Sequence, residues 1–153
     1  DNIKLSQPNQ SKGEIMNSEV IDGFFQAMSS GDADAAEKFF SERSEFTDTA
    51  TGMTMRGVDE NLMDVKNWMS TFSDMKVTAL RHVESGNVVA TEMQFEGTNT
   101  GEMAMPDGSK IPATGKTVKM QGCQVVEVED GKMIKGTQYY NPMAMMEQLG
   151  LTQ

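Results

Sequence analysis

Four side chains in this sequence could act together on a proton: the carboxylate of Asp48, the amide of Gln124 and the phenols of Tyr139 and Tyr140. Phe46 and Asp48 alternate along a short extended run, so burying Phe46 carries Asp48 to the same side, where loss of water raises a carboxyl pKa. Gln124 shares one face of a long run with Val118, Met120, Gly122, Val126 and Val128, a face otherwise apolar. A base of tuned pKa, with amide or phenol donors for a developing oxyanion, is the equipment needed to enolise a carbonyl compound. Each group also has a plainer use. Asp48 suits an Asx turn before Thr49 to Thr54, and Gln124 can satisfy a buried backbone group.

Other chemistries lack their residues. The single Cys123 forms no internal disulfide and has no cationic neighbour in sequence. His82, the only histidine, falls on the side of its run shared by Lys76, Thr78 and Glu84, the solvated side. Phosphate-binding glycine loops, metal-ligand spacings and nucleophile elbows do not occur, so neither metal nor cofactor is expected. With 13 basic and 23 acidic residues the net charge is -10, which repels phosphate backbones and anionic lipid. Nucleic acid is therefore not an expected partner, and with no apolar run approaching about 18 residues membrane insertion is not expected either. Methionine is over-used, at 15 of 153 residues, which fits core filling or an adaptable pocket wall.

The elements that must position these groups are set by periodicity. Residues 1–16 are polar and aperiodic and read as a mobile leader; 17–153 form one domain. That leader, together with Asp1 in first place, gives the expectation of a removed signal peptide and a periplasmic or secreted location, the cytoplasm being the alternative. A helix capped by Asn17 or Ser18 carries Val20, Ile21, Phe24, Phe25 and Met28 and stops at Gly31. Asp32 caps a second helix, Glu45 to Asp48 reads as a strand, and a third helix after Gly57 aligns Val58, Leu62, Val65, Met69 and Phe72. From Met75 the period changes to two. Runs over Met75 to Glu84 and Val88 to Thr100 form a hairpin, and Asp130-Gly131 joins Thr117 to Glu129 with a fourth strand. Residues 101–115 read as a long loop at a cavity mouth. Asn141 caps, and Pro142 opens, a closing helix that Gly150 ends. The fold class is α+β: a cone-shaped α+β barrel, its curved antiparallel sheet wrapped around three N-terminal helices, with a short C-terminal helix.

Over residues 17–150 the chain resembles the SnoaL-like polyketide cyclases of the nuclear transport factor 2-like superfamily. The resemblance lies in Ser30-Gly31-Asp32, Phe72-Ser73-Asp74-Met75, Glu96-Gly97-Thr98-Asn99-Thr100-Gly101, Ala113-Thr114-Gly115-Lys116, Gln121-Gly122, Glu129-Asp130-Gly131-Lys132-Met133 and Gln148-Leu149-Gly150. It implies a cone with an apolar cavity, usually dimeric or tetrameric, acting on small hydrophobic molecules by acid/base chemistry without metal or cofactor. A homodimer and a small hydrophobic ligand are therefore the expected partners. Two departures bear on the chemistry. Asn99 stands where many relatives have histidine in Gly-Thr-His-Thr-Gly, and Tyr140-Asn141 where many have an aromatic and Asp. Between Gly131 and Met146 there is no Asp, Glu or His. If the chain is an enzyme, it is expected to be a cofactor-independent isomerase or cyclase with Asp48 as base and Gln124 with Tyr140 or Tyr139 as oxyanion donors. Phe46, Met53, Trp68, Met69, Phe95, Asn99 and Met120 are the expected ligand contacts, joined by Tyr139 and by Thr137 and Asn141, whose side of the last strand the resemblance turns inward. Asn99 also suits a loop hydrogen bond and Asn141 a helix cap. The alternative functions are a non-catalytic ligand binder and an oligomerisation module.

Overall fold

The computed structural model describes residues 16–152, so the expected leader lies outside the described residues except for Met16. Helix α1 (Asn17–Ser30) buries Val20, Ile21, Phe24, Phe25 and Ala27 and ends on Gly31, whose φ of 70° is the left-handed cap conformation. Neither Asn17 nor Ser18 caps it. The Glu84 carboxylate does so from a distant strand, accepting from the amides of Asn17 at 3.2 Å and Ser18 at 3.3 Å. Helix α2 (Ala33–Glu37) is capped by Asp32, which accepts from the Ala35 amide at 2.9 Å. Strands β1 (Glu45–Asp48) and β2 (Met53–Arg56) lead into α3 (Gly57–Thr71). Then come β3 (Lys76–Ser85), β4 (Val88–Thr98), the short pair β5 (Met103–Ala104) and β6 (Lys110–Ile111), β7 (Thr117–Glu129), β8 (Lys132–Tyr140) and α4 (Pro142–Gln148).

Six strands form one curved sheet in the order β2-β1-β8-β7-β4-β3. Two details depart from the expected barrel. The sheet is an open cone, its edge strands β2 and β3 unpaired with each other, and the β1–β8 pair is parallel within an otherwise antiparallel sheet. After the turn that follows Asp48, Met53 to Arg56 pairs back on β1 from Asp48↔Met53 to Glu45↔Arg56. The expected 101–115 loop carries the small β5–β6 hairpin.

Two bulges decide which side chains face inward. Between Ala79↔Met93 and Arg81↔Glu92 strand β3 holds one extra residue, Leu80; between Glu127↔Lys135 and Val128↔Met133 strand β8 holds one extra, Ile134. An extra residue reverses the alternation beyond it. Met133, Gly136, Gln138 and Tyr140 therefore share the concave side, and Thr137 and Tyr139 take the convex one. His82 likewise turns inward: its Nδ1 lies 2.8 Å from Oγ1 of the buried Thr91 and its Nε2 2.8 Å from the Asp22 carboxylate on α1. It clasps a helix to the sheet rather than facing solvent with Lys76.

The core has two parts. One joins α1 and α2 to the sheet, with Phe24 meeting Phe39 and Phe40 edge-on at 6.1 and 5.4 Å. The other gathers Phe72, Met75, Met103, Val118, Met145 and Leu149, with Trp68 and Phe95 packed against it. Gly136 lies directly beneath the Phe46 ring, where a Cβ would collide with it.

Candidate functional site

Between α1, α3 and the concave sheet lies a hollow of two chambers. The inner cavity, about 80 Å³, is walled by apolar side chains, among them Phe24, Phe46, Val65, Met93, Phe95 and Met120, and by Gln124. The outer cleft, about 550 Å³, opens between β1–β2, α3 and the β5–β6 hairpin, and six methionines line it: Met53, Met55, Met63, Met103, Met105 and Met145. Met55, Asp64, Trp68 and Tyr140 border both chambers and so form the passage between them.

The polar side chains bordering this space include Asn61, Gln124 and Gln138 on the inner side, Asp48 and Glu60 on the outer, and Asp64 and Tyr140 between them. Gln124, 2% exposed, has an Nε2 with no hydrogen-bond partner among the described residues. A buried amide donor left unpaired is costly unless something else fills the role. Asp48, at the end of β1, uses Oδ1 for an Asx turn, accepting from the amides of Ala50 at 2.8 Å and Thr51 at 3.4 Å. Its Oδ2 accepts from the Tyr140 hydroxyl at 3.2 Å.

Asp64 projects from α3, three residues after the buried Asn61 and four before Trp68, a spacing that puts all three on neighbouring parts of one helix face. Burial, and next the nearby Asp48 charge, push its carboxyl up to about 6; no hydrogen bond offsets them. Burial also raises the Tyr140 phenol, followed by the Asp48 charge and hydrogen bond and the Asp64 charge. Tyr140 is thus a donor at neutral pH. The passage holds a carboxyl poised near neutrality beside a phenol that keeps its proton, a pairing suited to proton transfer.

The sequence model of SnoaL-like polyketide cyclases matches residues 19–149. The chain belongs to the SnoaL-like polyketide cyclase family. Solved structures of similar fold include a candidate SnoaL-like polyketide cyclase from Jannaschia sp. CCS1, 14% identical, with a TM-score of 0.78, covering 96% of this chain and 100% of that one. IdmH, a candidate polyketide cyclase from Streptomyces antibioticus, is 24% identical, with a TM-score of 0.74, and the match covers 89% and 99% of the two chains. An epoxide hydrolase from M. tuberculosis, similar to LEH, is 17% identical, with a TM-score of 0.67 and coverage of 87% and 88%. No curated protein matches. No helix among the described residues is long and apolar enough to cross a membrane, and no group of three or more His, Cys, Asp or Glu among them could hold a metal ion.

This SnoaL-like chain brings only part of the expected site together. Asp48, Met53, Trp68 and Tyr140 reach the cleft, and Phe46, Trp68, Phe95, Met120, Gln124 and Tyr140 the inner cavity. Thr137 and Tyr139 do not, because the bulge at Ile134 turns them to the convex face, where Tyr139 is 50% exposed. Asn141 caps α4, accepting from the amides of Met143 and Ala144. Asn99, 1% exposed, ties loops: its Nδ2 donates to the carbonyls of Thr71 and Gly101, and its Oδ1 accepts from the Thr114 amide and hydroxyl. Met69 packs into the core under α3. The residues not anticipated are Asp64, Asn61 and Gln138. The signal for Asp64 was the three-and-four spacing of Asn61, Asp64 and Trp68 beside the apolar stripe.

Proposed function

We propose that the protein binds a small, mainly apolar carbonyl compound in the hollow and isomerises or cyclises it by proton transfer, with Asp64 as the base. The observation that carries this is the Asp64 carboxyl, raised to about 6 where the two chambers meet. Above that pH it is a carboxylate with an affinity for protons well above that of an exposed aspartate. It takes a proton from the carbon beside the carbonyl, the C–H electron pair moves into the enolate, and negative charge gathers on oxygen. Gln124 Nε2, buried and unpaired, is the donor for that oxygen. Where a β,γ double bond extends the enolate into a dienolate, return of the proton from Asp64 to the far carbon completes an isomerisation. Where a second carbonyl lies within reach, attack of the enolate carbon on it gives an alkoxide that takes the proton back from Asp64 and completes a cyclisation.

Asp48 takes a different role from the one its sequence position suggests. Both of its oxygens already accept hydrogen bonds, so it orients Tyr140 and sharpens the basicity of Asp64 through its charge. Tyr140 spends its proton on Asp48, which leaves the enolate oxygen to Gln124. The test is deuterium exchange at the carbon beside the carbonyl of aryl alkyl ketones, followed by proton NMR in D2O. Enzyme-dependent exchange that falls about a hundredfold or more in Asp64→Asn is expected; exchange unaltered by that substitution removes Asp64 from the chemistry.

The partner we propose is a second copy of the chain on the convex face. A row of uncharged side chains crosses all six strands there: Val83, Ala90, Val125, Thr137, Thr47 and Thr54, placed opposite one another by the register. On its flanks Arg81–Glu92 at 2.7 Å and Arg56–Glu45 at 3.5 Å are already ion-paired, so this band carries little field of its own to repel a copy.

A further inference from the structure

We infer that the hollow takes a substrate with its own positive charge: an amine or quaternary ammonium a few bonds from the carbonyl, its cation in the outer cleft beside Asp48, Trp68 and Tyr140. The carbonyl end of this placement rests on the chemistry proposed above; the cation end stands on separate observations.

The first is charge. The two chambers are lined by Asp48, Glu60 and Asp64, and no Lys, Arg or His among the described residues lines either one. Among the described residues, every partner of Asp48 is a neutral donor, the amides of Ala50 and Thr51 and the Tyr140 hydroxyl, and Glu60 accepts only from the Arg56 amide at 2.7 Å. Glu60 is exposed, but Asp48 and Asp64 are half-buried, and carboxylates withdrawn from water normally find a cation. Here the described residues supply none.

The second is the wall. Trp68 meets Tyr140 edge-on at 6.2 Å and Phe95 at 5.5 Å, and stacks on Phe72 at 6.0 Å. Trp68 and Tyr140 line the outer cleft together with Asp48 and Asp64, and aromatic rings grouped with carboxylates are a recognised environment for alkylammonium groups, through the ring quadrupole. The methionines around them are polarizable and conform to a bulky head.

The third fixes the orientation, and it is independent of the acidic cluster. Gln124 Nε2, a buried donor without a partner, borders the inner cavity alone, whereas Asp48 borders the outer cleft alone. A ligand satisfying both must present an acceptor inward and a cation outward, with the atoms between them passing Asp64. An ammonium in that position also acidifies the neighbouring C–H bonds by induction, which favours the proposed proton removal. Carboxylate or phosphate substrates meet like charge instead and are rejected.

The experiment compares, by calorimetry on the intact chain, β-dimethylaminopropiophenone with its carbon isostere, in which CH replaces the ammonium nitrogen, and adds phenyltrimethylammonium as a competitor. The charged ketone is expected to bind about tenfold more tightly than the isostere. That preference should shrink toward unity in Asp48→Asn, which keeps the Asx acceptor, and in the unmodified protein as sodium chloride is raised. Equal affinity for the two ketones, or a preference indifferent to both Asp48→Asn and salt, overturns the inference even if Asp64-dependent exchange is seen on the neutral ketone. Conversely, Asp48-dependent, salt-sensitive binding of phenyltrimethylammonium with no exchange on either ketone upholds the cation site and removes the proposed chemistry. Failure of all three compounds to bind overturns the inference.

Discussion

The Tyr140 hydroxyl and Asp48 Oδ2 lie 3.2 Å apart, joining the end of the last strand to the end of the first. Asp64, which borders both chambers, has no hydrogen bond of its own among the described residues.

Replacing Asp64 by Asn should stabilise the protein at pH 8. A carboxyl raised to about 6 in the fold against a reference value of 3.8 binds its proton more tightly when native. Stability linked to it is therefore present at low pH and is lost as pH rises from about 4 through about 6. Discounted for the part of the group that water reaches, the gain in Asp64→Asn is about 1–2 kcal/mol. Urea unfolding at pH 5 and pH 8 measures it; a variant equally or less stable at pH 8 contradicts the account of Asp64 burial.

Ketone exchange should rise with pH through a midpoint near the Asp64 value of about 6, since the carboxylate is the active form. Because the Asp48 charge is the second cause of that elevation, Asp48→Asn should move the midpoint toward acid. A midpoint that stays in place in this variant would show that the two carboxyls are not coupled.

Gln124→Leu removes an amide that spends its donor on no described protein group. The substitution should leave stability unchanged or raise it by about 1 kcal/mol, while weakening ketone binding about tenfold. Thermal unfolding and calorimetry read the two effects separately. Loss of more than about 1 kcal/mol would mean that the side chain props up the fold instead.

Val125→Arg introduces a charge into the middle of the uncharged convex row. Sedimentation should show the wild-type chain as a dimer and the variant as a monomer at the same concentration; a dimer in both disproves the proposed partner face.

Local signals marked the elements with some accuracy. Gly31 and Asp32 mark the break between two helices, Glu45 to Asp48 is a strand over the span its alternation indicates, and Asn141-Pro142 opens the last helix. Long-range registration was not legible in the same way. The parallel pairing of β1 with β8 joins residues about ninety apart, for which periodicity holds no information. Leu80 and Ile134 are ordinary strand residues, without the Gly or Pro that often flags a bulge, yet each reverses the facing of the residues beyond it in its strand. Thr137 and Tyr139 were lost to the site for that reason alone. Asp64 escaped notice because a charged residue within a helix reads as a solvated position until the opposing wall is in place.

The parallel join between β1 and β8 also sets an order of events during synthesis. Glu45 to Asp48 leave the ribosome early, but the strand that flanks them, with Tyr140 at its end, emerges only much later in the chain. The helices and the β3–β4 hairpin depend on nearer partners and can collapse sooner. The chamber wall nearest Asp48 is therefore among the last parts to be assembled, followed only by α4, and a nascent chain stalled before β8 would hold a partial core without a complete hollow.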